Sequence, residues 1–159
     1  MSKKTNLYLG KAGQMAVMSE FLARGWNVAV PEVDVGDDIF VVRDSDGNLS
    51  RIQVKTGSAK EIRNGYSAQF SVPLRQLMFP VSPELSYIFA VRRNQRWESF
   101  VIIQRDTLNE EYQSHNVGSQ TGHDRLMLYM RFFQKKVVCS KRDFTVYLNR
   151  WDKWKQIFH

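Results

Sequence analysis

A single cysteine, Cys139, stands in a chain of 159 residues, so no internal disulfide can form. It follows the apolar pair Val137 and Val138 and reads as a buried, inert thiol rather than a nucleophile. Long apolar runs are missing as well. Stretches such as residues 87–91 fall far short of the roughly 20 residues a membrane-spanning helix needs, and the N-terminal MSKKTNLYLG lacks a signal-peptide core. A cytoplasmic protein with no membrane contact is expected. Neither a repeat nor a linker interrupts the chain. GKAGQ, from Gly10, lacks the Gly-x4-Gly-Lys-Ser/Thr pattern of a phosphate loop, which speaks against a nucleotide cofactor. His115 and His123 lie in a polar segment and read as solvated residues rather than zinc ligands.

What the chain does contain is enough to bury a core. Hydrophobic residues make up 43% and aromatic residues 13%, which fits one domain spanning residues 1–159 and excludes a disordered chain. Lys and Arg number 23 against 16 acids, a formal net charge of +7. That balance suits a polyanionic partner such as DNA. The basic residues fall in short groups, Arg92, Arg93 and Arg96, then Lys135, Lys136, Lys141 and Arg142, and only convergence on one face would make them a binding site.

Periodicity predicts an amphipathic helix over residues 8–24, closed by Gly25. WNVAVP follows as a short strand, and a second strand starts at Asp38. Asp46 followed by Gly47 is a hairpin signal, and LSRIQVKT alternates as the partner strand. GSAKEIRNG is expected to be a loop, YSAQFSV a strand, and a short helix follows Pro73. LSYIFAVRR and WESFVIIQR form two strands around Asn94 and Gln95. Residues 109–124 are polar and predict a mobile loop. Trp151, Trp154 and Phe158 at helical spacing predict a packed terminal helix. The order gives an α/β or α+β fold.

The hairpin carries the chemistry. Gln53 and Lys55, two apart on a strand, point to one face. With the Asp46–Gly47 turn setting the register, Asp38 comes near that pair. A carboxylate, an amide oxygen and waters suit a hard cation, and an adjacent lysine can hold water or neutralise developing phosphate charge. An ammonium on an apolar strand costs several kcal/mol unless an anion meets it, so Lys55 is the sharpest functional indication. Asp34 and Asp37 read as turn residues beside Gly36, with Asp37 directed to the opposite face. Thr56 is by default an ordinary strand residue. Glu20 lies about 240° around the helix from Gln14 and reads as surface charge.

Taken in order, Gly10, Gly13 and Gln14, then Asp34, Gly36 and Asp38, then Gln53, Val54 and Lys55 resemble the core of the PD-(D/E)XK nuclease superfamily. The likeness is to its small members akin to archaeal Holliday junction resolvases and Mrr-type restriction endonucleases. It covers the first third of the chain closely and the rest loosely. It implies a restriction-endonuclease-like fold, a central mixed β-sheet flanked by helices, and Mg²⁺- or Mn²⁺-dependent hydrolysis of phosphodiester bonds in DNA by a homodimer. Asp38, Gln53 and Gln14 would hold the ion, with Asp38, Gln53 and Lys55 catalytic; Lys60, Arg63 and Arg75 would follow the DNA backbone. Two positions depart from the pattern, Gln14 and Gln53 standing where Glu is usual. An amide oxygen is a weaker ligand than a carboxylate. The alternatives are the same fold retained as a DNA- or protein-binding module after loss of its metal site, and an interaction domain whose charge is incidental.

Overall fold

The computed structural model describes residues 2–157. Helix α1 (Lys3–Ala23) opens with Ser2, whose side chain accepts from the Thr5 amide, and ends at Arg24, ahead of Gly25 at φ +84°. Strands β1 (Asn27–Ala29), β2 (Ile39–Arg43) and β3 (Asn48–Ser58) follow. The turn between β2 and β3 places Gly47 at φ +68°, and Asp46 accepts the Asn48 amide and pairs with Arg43. The expected helix, strand, strand, strand order is therefore present.

Beyond β3 the structure departs from the expected loop. GSAKEIRNG instead completes β3 and forms β4 (Lys60–Ile62), which turns at Asn64, φ 65°, into β5 (Gly65–Pro73). Helix α2 (Leu74–Met78), strands β6 (Leu85–Arg93) and β7 (Arg96–Gln104), and helix α3 (Arg105–His115) come next. Helix α3 occupies half of the segment expected to be a mobile loop. Its sequence is polar all round, but Leu108 is buried in the core and buried Glu111 pairs with Arg142. Small strands β8 (Ser119–Thr121), β9 (Arg125–Phe133), β10 (Lys136–Cys139) and β11 (Arg142–Asp143) complete the order.

These strands make two sheets. The first is mixed, in the order β1-β2-β3-β6-β7, with β3 parallel to β6 and the other pairs antiparallel. The parallel pair demands a long crossover, and that crossover carries β4, β5 and α2. The second sheet is antiparallel, β11-β10-β9-β5-β4, with β8 beside β9. Strand β6 lies between two hydrophobic layers and is buried on both faces from Leu85 to Val91, as its continuous apolar run requires. On one side Tyr87 and Phe89 meet Phe70 and Leu128 of the second sheet. On the other, Ile88 and Ala90 share a layer with Val17 and Phe21 of α1.

Phe21 anchors that second layer, edge-on to both Trp151 and Trp154 at 5.5 and 4.9 Å between ring centroids. Truncating it to Ala would cost about 3–5 kcal/mol. The two tryptophans are packed as expected, but on a single 3₁₀ turn (Trp151–Lys153) rather than an α-helix. Trp154 Nε1 donates to Ser50 Oγ at 3.2 Å, fixing the tail across β3. Phe158 lies outside the described residues. The fold is thus α+β with a central mixed sheet, flanked by α1 on one face and by the second sheet on the other. Among the described residues no helix is long and apolar enough to cross a membrane.

Candidate active site

Strand β3 is longer than its partner. Residues from Asn48 to Ile52 pair with β2, and the last backbone bond of that side runs from the Asp38 amide to the Ile52 carbonyl at 2.9 Å. From Val54 onward no strand among the described residues covers this edge of β3. Asp38 closes the gap with its side chain: Oδ2 accepts the Val54 amide at 2.8 Å and the Gln53 side-chain amide at 2.8 Å. Gln53 and Lys55 alternate to one face of β3, so Asp38, Gln53 and Lys55 converge as the hairpin register requires. Asp37 makes a 2.7 Å ion pair with Arg51, which lies two residues before Gln53 on the same face of β3, so Asp37 is not carried to the opposite face as expected.

Burial dominates the electrostatics. Asp38 is pushed above the ordinary aspartate range by desolvation, against the Val54 amide and the charge of Lys55, which pull it down. Lys55 is pushed below the ordinary lysine range by desolvation, against the attraction of Asp38. No ion pair joins the two among the described residues. Each charge is therefore partly stripped of water without a direct counter-ion, the condition typical of a site that receives a further charged group.

Could these residues hold a divalent ion? Among the described residues Asp38 Oδ1 accepts no protein hydrogen bond, so one carboxylate oxygen is open. The Val54 carbonyl points to the same uncovered edge as its amide, and the Gln53 side-chain amide approaches it at 3.5 Å. These two oxygens fit a hard cation. The amide ligands are turned elsewhere. Gln14 donates through Nε2 to the Asp38 carbonyl at 3.0 Å, while its Oε1 accepts from Lys11 Nζ at 3.1 Å. Gln53 Oε1 faces Gln76 Nε2 at 3.4 Å. The donor set thus fits a weakly held ion, with Asp38 the anionic ligand and rotation of Gln53 or Gln14 needed to add a third protein oxygen. Among the described residues no cluster of three carboxylate, histidine or cysteine side chains occurs.

Two glycines shape this corner. At Gly13 a methyl would overlap Thr56 Cγ2, so its absence lets α1 settle onto β3 and brings Gln14 to Asp38. Gly36, at φ +105°, sits where a side chain would meet Gln76. Gln76 donates to the Gly36 carbonyl at 2.6 Å and accepts from the buried Tyr87 hydroxyl at 2.9 Å. Asp34 accepts the Gly36 amide, as a turn residue should, yet its charge also reaches Asp38 and Lys55.

Lys55 opens into a cleft of about 460 Å³ lined by Asn6 and Leu9 of α1, Thr56 and Ser58 of β3, and Gln69 and Met127 of the second sheet. Of the three basic residues expected to follow DNA, Lys60 lies in the adjoining depression. Arg63 is exposed at the turn after β4 and Arg75 on the outside of α2, and neither lines these hollows. Several of the short basic groups do not converge: Arg93, Arg96 and Arg142 are held by Glu61, Glu98 and Glu111. Gln76 and Arg125, whose charge reaches Lys55, carry no local motif because each arrives from a distant segment, while Lys11 lies inside the Gly10–Gln14 stretch and only its bond to Gln14 Oε1 was unexpected.

A scan against protein-family models finds no match, and a search of curated proteins finds no relative. Among solved structures, the chain is similar to a bacterial homing endonuclease, I-Ssp6803I, with a TM-score of 0.53 and 17% identity, over 96% of this chain and 90% of that one. The protein therefore has an endonuclease-like fold.

Proposed function

We propose that this protein is a divalent-metal-dependent DNA endonuclease of the PD-(D/E)XK type in a D–QxK form. The observation that carries the reading is the meeting of Asp38, Gln53 and Lys55 at the uncovered edge of β3, with two charges partly desolvated and one Asp38 oxygen open. Mg²⁺ or Mn²⁺ held by Asp38 and the Val54 carbonyl, with Gln53 or Gln14, would polarise the scissile phosphate and acidify a bound water. Lys55 would meet the phosphate charge that grows as water attacks phosphorus. The fold of the homing endonuclease neighbour supports an assignment to nucleases. A homodimer, which supplies two such sites for two DNA strands, belongs to the same proposal.

The test is incubation of supercoiled plasmid and of a four-way junction with Mg²⁺ or Mn²⁺. Nicking is expected for the wild type and absent for Lys55→Ala and Asp38→Asn. Nicking retained at full rate by Lys55→Ala would sink the assignment of that residue.

A second reading draws on a specific observation: the Gln14 and Gln53 amides are satisfied by Lys11, Asp38 and Gln76 without any ion. In that reading the fold persists as a DNA-binding module. Salt-sensitive DNA binding without cleavage in either metal would select it.

A further inference from the structure

Side chains alternate along β5 and β9, the two central strands of the second sheet. The inward set, including Phe70 and Leu128, is buried against β6. Of the outward set, Gln69 and Tyr129 are exposed, Ser71, Met127 and Arg131 are half-buried, and Ser67 is buried. These residues form cross-strand pairs, Gln69 with Tyr129, and Ser67 with both Lys60 and Arg131. Tyr129 keeps 41% of its surface in contact with solvent, which leaves its ring and hydroxyl accessible to a ligand laid on the sheet.

This face is continuous with the candidate active site. The depression of about 520 Å³ over Lys60, Gln69 and Tyr129 shares Ser58 and Gln69 with the cleft that Lys55 enters. Lys60, Arg125 and Arg131 have no carboxylate partner within ion-pair distance among the described residues, unlike Arg93, Arg105 and Arg142. The surface is thus positive at its margins, with an amide and a phenol between. Phosphates call for cations, whereas base edges are distinguished by groups that donate and accept, such as the Gln side chain.

We propose that the outward face of the second sheet is the DNA-reading surface, with Gln69 and Tyr129 contacting bases and Lys60, Arg125 and Arg131 contacting phosphates of the duplex whose backbone reaches Lys55. The inference rests on the endonuclease reading for its choice of partner, but it concerns residues outside the metal and lysine site.

The experiment is selection from a randomised DNA duplex pool in a chelator, which leaves bound DNA uncut, followed by affinity measurements over a range of salt concentrations. Wild-type protein is expected to enrich a preferred sequence. Gln69→Ala should relax the preference at one or two adjacent positions by roughly 5- to 100-fold. Tyr129→Ala should weaken the preference, and Tyr129→Phe, which keeps the ring, should restore part of it. Lys60→Ala and Arg131→Ala should weaken all sequences alike and each lower the salt slope by about one. Because Gln69 and Tyr129 are exposed, unchanged thermal melting would separate these effects from misfolding. Variants that enrich the same sequence as wild type with the same strength, or leave the salt slope unchanged, overturn the surface while plasmid nicking still stands. Wild-type protein that nicks plasmid with Mg²⁺ or Mn²⁺ yet binds no duplex, or enriches no sequence, overturns the surface alone; protein that neither binds nor nicks overturns both proposals.

Discussion

Gln53 donates its side-chain amide to Asp38 Oδ2 at 2.8 Å, joining a strand interior to the residue just before its partner strand. The same carboxylate oxygen also takes the Val54 amide. An amide at position 53 is therefore compatible with Asp38 in the absence of metal, where a carboxylate would be repelled.

Gln53→Glu should invert that balance. In chelator, two carboxylates placed together lower the melting temperature relative to wild type. With Mn²⁺ the variant should gain more than wild type, since a tenfold tighter site adds about 1.4 kcal/mol at saturating ion. Melting curves with and without Mn²⁺ measure both effects. An identical metal response in the two proteins would place residue 53 outside any ion site.

Gly13→Ala and Gly10→Ala form a matched pair on α1. The first drives a methyl into Thr56, while at Gly10 the nearest atom, Thr56 Oγ1, is 3.9 Å from an added Cβ. Urea midpoints should fall for Gly13→Ala by the equivalent of about 1–3 kcal/mol, whereas Gly10→Ala should be neutral or stabilising by up to about 1 kcal/mol. Equal effects would contradict the close approach of α1 to β3.

Glu111 is held below its usual value of 4.5, chiefly by the side-chain bonds from Arg142. A carboxylate with a depressed folded-state pKa contributes stability that is present above its unfolded pKa and lost as pH falls through the folded value. The stability gap between wild type and Glu111→Gln should therefore be widest above the ordinary glutamate value of 4.5 and narrow as pH falls below it. Denaturant titrations across that range give the answer, and a gap that widens in acid would refute the ion pair.

Cys139 is fully buried, and burial pushes its thiol up to about 11. A thiol-specific reagent at about pH 8 meets almost no thiolate even if it gains access. Labelling should be slow for the native protein and rapid in denaturant. Fast native labelling would show that the β9–β10 edge opens readily.

Local chemistry made the hairpin legible. Asp46 and Gly47 carry their own turn geometry, and once the turn is placed, alternation sets Asp38, Gln53 and Lys55 together. The strand in GSAKEIRNG was hidden because β4 has little burial of its own, although Asn64 and Gly65 supply a hairpin turn. Helix α3 was hidden for a different reason: much of its support comes from distant partners, Leu108 in a shared core and Glu111 against Arg142. Trp151 and Trp154 announced their burial but not their backbone, since 3₁₀ and α spacing both bring neighbouring rings to one side. Gln76 and Gly36 meet across 40 positions, a relation no local pattern encodes.

The β2–β3 hairpin acts as a ruler. It measures the distance from its closing pair, Arg43 with Asn48, to the place where Asp38 meets Val54. Gly47 at φ +68° and Asp46, which accepts the Asn48 amide, hold the tip, and adding or removing a residue there would slide the two strands by a single step and carry the Lys55 ammonium toward the aromatic layer of Phe21 and Trp154. Mutational drift at that tip is thus restricted in length as well as in spelling.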